Sequence, residues 1–214
     1  MSVEFLKTII PMLISGIKIT FLIAVVGIVI GIVIGSLCGY ILQSQHKILR
    51  VIAEAYIWII RATPLMVQAL YGYFVIPKLF GIDLQANTVG IMVIALNSGA
   101  FMSEIIKGAL LGIDPGQKEA ASSLGLSYLQ TMIHVVIPPA FKIALPGLFN
   151  QFIISVKDTA LLSCITVNEA THQAQNYAAL SFNTIPTYTA LAVFYLVVIS
   201  LLIILQKWVE KKMG

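Results

Sequence analysis

The chain has 214 residues, 59% of them hydrophobic and only 10% charged, and its mean hydropathy is +0.97. A water-soluble domain of this length needs more polar surface to cover its core, so the composition points to a membrane protein. The net charge of +4 comes from scattered lysines and arginines without a basic stripe, which argues against a nucleic-acid groove and fits loop charges on a membrane protein.

A bilayer core needs about 20 apolar helical residues. Before the first such run, Met1 to Lys18 lacks a small-residue cleavage site, so no removable signal peptide is expected. Ile19 to Leu42 carries no charge and as a helix reaches about 36 Å, enough to span. Within it Gly27, Gly31, Gly35 and Gly39 recur every fourth residue, a small-residue stripe that lets another helix backbone approach closely. Cys38, in the same run, reads as a packing residue, and with Cys164 it forms no metal-ligand spacing.

Ile48 to Ile76 is a second apolar stretch, broken by Glu54 and by Arg61-Ala62-Thr63-Pro64. The residue before a proline avoids the helical region, so this span is expected to kink or restart near Thr63. Arg50 and Glu54 stand one turn apart and read as a surface ion pair. Thr88 to Leu111 is a third span, carrying Asn97 and Glu104. Pro139 to Val156 is a fourth, with Pro139 suited to a first helical turn and a kink expected at Pro146. Pro186 to Gln206 is a fifth. The expected fold is an all-α integral membrane protein of five transmembrane helices, forming one domain over residues 1–214.

Five spans put the two ends on opposite sides. With the N-terminus outside, the inner segments hold Lys47, Arg50, Lys107, Lys118, Lys207, Lys211 and Lys212, against Lys7, Lys18, Lys78 and Lys157 outside. That bias favours an outside N-terminus and a cytoplasmic C-terminus. Trp208 then lies at the cytoplasmic interface, with Tyr177, Phe182 and Tyr188 near the outer one.

Between the third and fourth spans, Gly112 to His134 is long and polar. Asp114 can cap a helix whose first residue is Pro115, and Gln117 can complete a capping box. Glu119, Ala120 and Ala121 are good helix formers, and Gly125 suits the left-handed residue that ends a helix. The loop therefore encodes a short helix with a defined start and stop. It lacks the large apolar face and basic flanks of a helix that lies on lipid.

At this point the chain resembles a known family. Glu119-Ala120-Ala121, three residues, Gly125, nine residues, then Val135-x-Ile137-Pro138 is similar to the EAA loop of ABC importer permeases, E-A-A-x3-G-x9-I-x-L-P; the loop region runs over about 112–138. Arg61 to Gln68 resembles the R-G-T-P-L-x-x-Q segment of the polar amino acid branch, and Asn97 to Glu104 its N-S-G-A-Y-x-x-E. Pro115-Gly116-Gln117, Pro146, Asn150 and Lys157-Asp158-Thr159 match as well. Ala62 replaces the family glycine, and Ala160 replaces the serine of K-D-T-S.

The resemblance implies a type I importer. Two permease subunits form the path, ABC ATPase subunits bind the cytoplasmic EAA helices, and an extracytoplasmic amino-acid-binding protein delivers the cargo. The chain has no G-x-x-x-x-G-K-[ST] loop, so ATP and Mg belong to the ATPase partner and no cofactor is expected in this chain. Gly116, Glu119, Ala120, Ala121 and Gly125 are the expected coupling residues.

Polar groups inside a membrane face a cavity or a partner. Asn97 and Glu104, seven residues apart, share one helix face about 10 Å apart along the axis, and Asn150 and Lys157 share another. Glu104 or Asp158 can hold an ammonium or a guanidinium, and Arg61 or Lys157 a carboxylate; Thr159 and Gln68 join this pathway set through the matching segments. The competing expectation for Glu104 is an ion pair with Lys107. His46, His134 and His172 read as solvated. A stand-alone secondary transporter would show an inverted repeat, and a membrane enzyme a nucleophile–base or metal constellation; neither is legible.

Overall fold

A computed structural model describes residues 3–213, and every regular element among them is helical. The first helix, α1 (Val3–Ile41), is 39 residues long, well beyond the expected Ile19–Leu42. Lys7 and Lys18 lower the hydropathy of its first half without lowering helix propensity, so apolarity marks the span and not the helix end. The glycine stripe faces α5 (Ala86–Leu111). An added Cβ at Gly27 would lie 2.7 Å from Ile94, at Gly35 2.8 Å from Met102, and at Gly39 3.0 Å from the Ser103 carbonyl. The small-residue face is thus used inside the chain, bringing two backbones together.

The second stretch divides at Pro64. α2 (Lys47–Ala62) stops at Thr63, which is extended (φ −116°, ψ 139°) as a residue before proline must be. α3 (Leu65–Leu70) then leads through a π-turn, Tyr71–Val75, into α4 (Ile76–Phe80). The two halves meet at 105°. The expected break near Thr63 is found, as a new helix starting at Leu65 across a sharp bend.

After α5 come α6 (Pro115–Ser123) and α7 (Tyr128–Thr131). A second π-turn, Met132–Val136, leads into α8 (Ile137–Asp158) and a 3-10 turn, Thr159–Ile165. Both π-turns end just before proline: Ile76 N–H reaches back to Tyr71 O ahead of Pro77, and Ile137 N–H to Met132 O ahead of Pro138. A proline leaves the carbonyl four residues back without its donor, and the wider turn absorbs that gap. This is why the fourth helix starts before Pro139, where apolarity alone suggested it begins. It then runs unbroken through Pro146. α9 (Ala170–Ser181) and α10 (Thr184–Met213) complete the chain.

Among the described residues four segments are long and apolar enough to cross a membrane, Val3–Ile41, Ala86–Leu111, Tyr128–Ile165 and Thr184–Lys212, and the bent α2–α4 pair makes a fifth if its two halves form one broken span. The main core joins Ile23 of α1, Leu65 of α3, Val93 and Ile94 of α5, and Leu162 and Ile165 of the 3-10 turn. A second core packs Ala170 and Ala174 of α9 against Ile9 and Leu13 of α1 and Leu191 of α10.

Candidate functional site

The polar loop folds into a helix–turn–helix. Asp114 Oδ1 accepts the Gly116 N–H at 2.9 Å and so caps α6. The capping box does not form at Gln117, whose backbone N–H instead meets Asp114 O; it forms one helix later, where Ser127 and Gln130 exchange backbone-to-side-chain bonds of 2.9 and 3.4 Å. Gly125 takes φ +79°, with its N–H on Ser122 O and the Leu126 N–H on Ala121 O. That crossed pair of bonds is the glycine stop the spacing predicts. Ala121 is buried beneath the helix, whereas Gly116, Glu119 and Ala120 face outward. Leu124, Tyr128 and Leu129 are strongly exposed beside them, an apolar rim around the small alanine face.

In the membrane region the structure brings some expected residues together and separates others. Arg61, Glu104, Glu54 and Lys107 line one cavity of about 440 Å³ between the end of α2 and α5. Arg61 also lies 5.3 Å over the Phe101 ring. Arg50 and Glu54 form the expected pair at 3.7 Å, while no Glu104–Lys107 ion pair forms among the described residues. Asn97 is buried within the helix packing, one side of the shared face, and Glu104 is exposed on the other. Lys157 lines a different cavity, with Thr171, Tyr188 and Tyr195, so it does not converge on Glu104 within this chain. Asn150 is exposed and Asp158 partly buried. Thr159 is fully buried, its hydroxyl donating to Val156 O at 2.8 Å.

Gln68 closes the helix break. Its Nε2 donates to Ile60 O (2.8 Å), Thr63 O (3.0 Å) and Thr63 Oγ1 (2.9 Å), and Thr63 Oγ1 donates to Ile59 O at 2.8 Å. Ile60 O is the carbonyl that Pro64 cannot serve. The Nε2 of the amide expected to meet cargo is therefore committed to the helix break, while its buried Oε1 has no partner.

Sequence reasoning passed over Glu169. It is fully buried, accepts the N–H groups of Thr171 and His172 at 2.7 Å each, and takes the Tyr195 hydroxyl at 3.1 Å, tying α9 to α10. Burial pushes its carboxyl above the usual range, and those hydrogen bonds pull the other way. The one signal in the sequence is that Glu169 is the lone acidic residue between Asp158 and Glu210.

The described residues thus place a bent helix pair beside charged groups of both signs, with a capped helix projecting between two spans. The chain belongs to the family described as binding-protein-dependent transport system inner membrane component, whose model it matches over residues 31–214. The glutamine transport system permease protein GlnP of Escherichia coli K12 is 40% identical over 206 residues, which cover 95% of this chain and 94% of that protein. The arginine transport system permease protein ArtQ of Bacillus subtilis is 32% identical, covering 100% of this chain and 98% of that one. A chain from a crystal structure of an amino acid ABC transporter with histidines superposes with a TM-score of 0.89 at 34% identity, over 99% of this chain and 100% of that chain. The inward-facing methionine transporter MetNI, at 18% identity and a TM-score of 0.79, shares the fold. The chain is thus the membrane-spanning permease subunit of an ABC importer, a transport subunit and not the catalytic one. Its family implies an ATPase and a substrate-binding protein as partners and the inner membrane as its place.

Proposed function

We propose that this permease carries polar L-amino acids, basic ones (arginine, lysine, histidine) or glutamine, by alternating access, as one transmembrane domain over residues 1–214. The relatives named for glutamine and arginine support the substrate class. The observation that carries the reading is the shared cavity of Arg61 and Glu104 beside the Pro64 break. A zwitterion stripped of water needs a partner for each end, and this cavity offers a guanidinium and a carboxylate. Asp158 would serve a second cationic group, with Asn97, Asn150, Thr159 and Lys157 completing the path in the assembled transporter. Gln68 acts on that path through the shape of the break.

In this proposal two permease subunits, identical or homologous, enclose the path. ABC ATPase subunits, which hold ATP and Mg, grip α6 within the EAA loop (about 112–138) through Gly116, Glu119, Ala120, Ala121 and the stop at Gly125. The amino-acid-binding protein delivers cargo on the side of α9, with the N-terminus outside and the C-terminus cytoplasmic. The test is uptake by the reconstituted complex at saturating binding protein, with several amino acids. Glu104→Gln is expected to lower transport of basic amino acids by at least tenfold while assembly with the ATPase stays intact. Parental rates for every cargo would remove Glu104 from the path.

A further inference from the structure

Two cavities meet where α6 and α7 rejoin the membrane helices. The first, about 540 Å³, lies between the α1–α2 loop and the α6–α7 hairpin. Lys118, His46 and Ser122 line it, and no carboxylate does. Thr131 lines it too; that residue is only 6% exposed, and its hydroxyl has no hydrogen-bond partner. A buried hydroxyl without a partner is costly, so this one is an unfilled valence beside a polar space. The second cavity, about 240 Å³, is an apolar groove among α1, α5 and α8, running from Ile32 to Leu148. Tyr40, Leu110 and Met132 line both cavities, so the polar chamber adjoins the groove.

A cation and hydroxyls without a carboxylate select an anion, and an apolar groove along spanning helices selects a hydrocarbon chain. We propose that this composite site holds one anionic phospholipid, its phosphate in the chamber with Lys118, Ser122 and Thr131, and an acyl chain in the groove. A free anion would leave the groove unused, and a neutral apolar ligand would leave Lys118 and Thr131 unpaired. The site joins the loop after α1 to α6, so an occupied site braces α6 from behind, on the face opposite its exposed Ala120. That the lipid comes from the inner leaflet rests on the proposed cytoplasmic side of α6; the chemistry of the site does not.

The test is native mass spectrometry of the complete transporter, permease with its ATPase subunits, delipidated in detergent and titrated with phosphatidylglycerol or phosphatidylcholine. Phosphatidylglycerol is expected to be retained about tenfold better than phosphatidylcholine. Lys118→Gln is expected to abolish that preference. Ser36→Phe, which fills the groove from the exposed face of α1 and leaves Lys118 in place, is expected to lower retention of both lipids. Equal retention of the two lipids, or retention unchanged in both variants, overturns the proposal. Full competition by millimolar inorganic phosphate overturns it in favour of a free-anion site. Lipid held by the permease alone but expelled by the ATPase subunits overturns it in favour of an ATPase segment in the chamber. No transport is measured, so failure here leaves the substrate reading standing, and an unaffected Glu104→Gln leaves this one standing.

Discussion

Proline at position 64 removes one backbone donor, and the chain answers four residues later. Gln68 was legible as part of a family segment, yet its role follows from local chemistry: two amide hydrogens spread over three acceptors at the mouth of a broken helix. Leucine at 68 keeps the volume and removes the amide donor to Ile60 O and Thr63 O, leaving Ile60 O only a long 3.5 Å contact from Thr63 Oγ1. Leaving such groups unpaired costs about 1–3 kcal/mol, so Gln68→Leu is expected to lower the melting temperature of the detergent-purified protein and to reduce uptake with it. A variant that loses uptake at an unchanged melting temperature would instead make Gln68 a cargo contact. Glu169 teaches the complementary lesson. An isolated glutamate in a neutral stretch looks solvated, and only the packing of α9 against α1 and α10 reveals it as a buried cap. Gly16 permits that packing, since a Cβ there would lie 2.5 Å from Ala170.

At the scale of elements, α6 is the most readable part of the chain, because its start and stop are written in a few adjacent residues. Asp114, Pro115 and Gly125 behave as local rules require. The misplaced capping box has an equally local reason: Asp114 binds the N2 amide of Gly116, while Ser127 and Gln130 have the hydroxyl–amide spacing that the box demands. Helix lengths were less readable. Hydropathy ends a span at a lysine, but helix propensity does not, so α1 and α10 both outrun their apolar runs. The π-turns were invisible for a related reason, since they answer prolines several residues downstream. Gly125→Val tests the stop. A β-branched residue at φ +79° costs about 1–2 kcal/mol, whereas asparagine tolerates that region. Gly125→Val is expected to insert normally while ATP-driven uptake falls severalfold, and Gly125→Asn to retain most of it. Parental uptake by the valine variant would show that the ATPase does not depend on this turn.

For the whole molecule, the decisive question is whether the bent α2–α4 pair crosses the membrane. If it crosses, the five spans place the N-terminus opposite the C-terminus and, with the N-terminus outside, put α6 in the cytoplasm. If the 105° bend makes it a re-entrant hairpin, four spans remain, and α6 moves to the outside for the same N-terminus. Each half is too short to span by itself. The charge distribution does bear on it: crossing puts Lys118 and the basic C-terminal residues on the same side as Lys47 and Arg50, in keeping with the positive-inside bias. The separation of Lys157 from Glu104 belongs to this scale too, since a path between two subunits can gather from both chains what one chain holds apart. Single cysteines at the exposed positions Asp83, Ser122 and Asn183, in a background lacking Cys38 and Cys164, decide the topology. With an impermeant maleimide on intact cells, Asp83→Cys and Asn183→Cys are expected to label and Ser122→Cys to label only after permeabilisation. Labelling of Ser122→Cys from outside, with Asp83→Cys protected, would make the α2–α4 pair re-entrant and place the ATPase contact elsewhere.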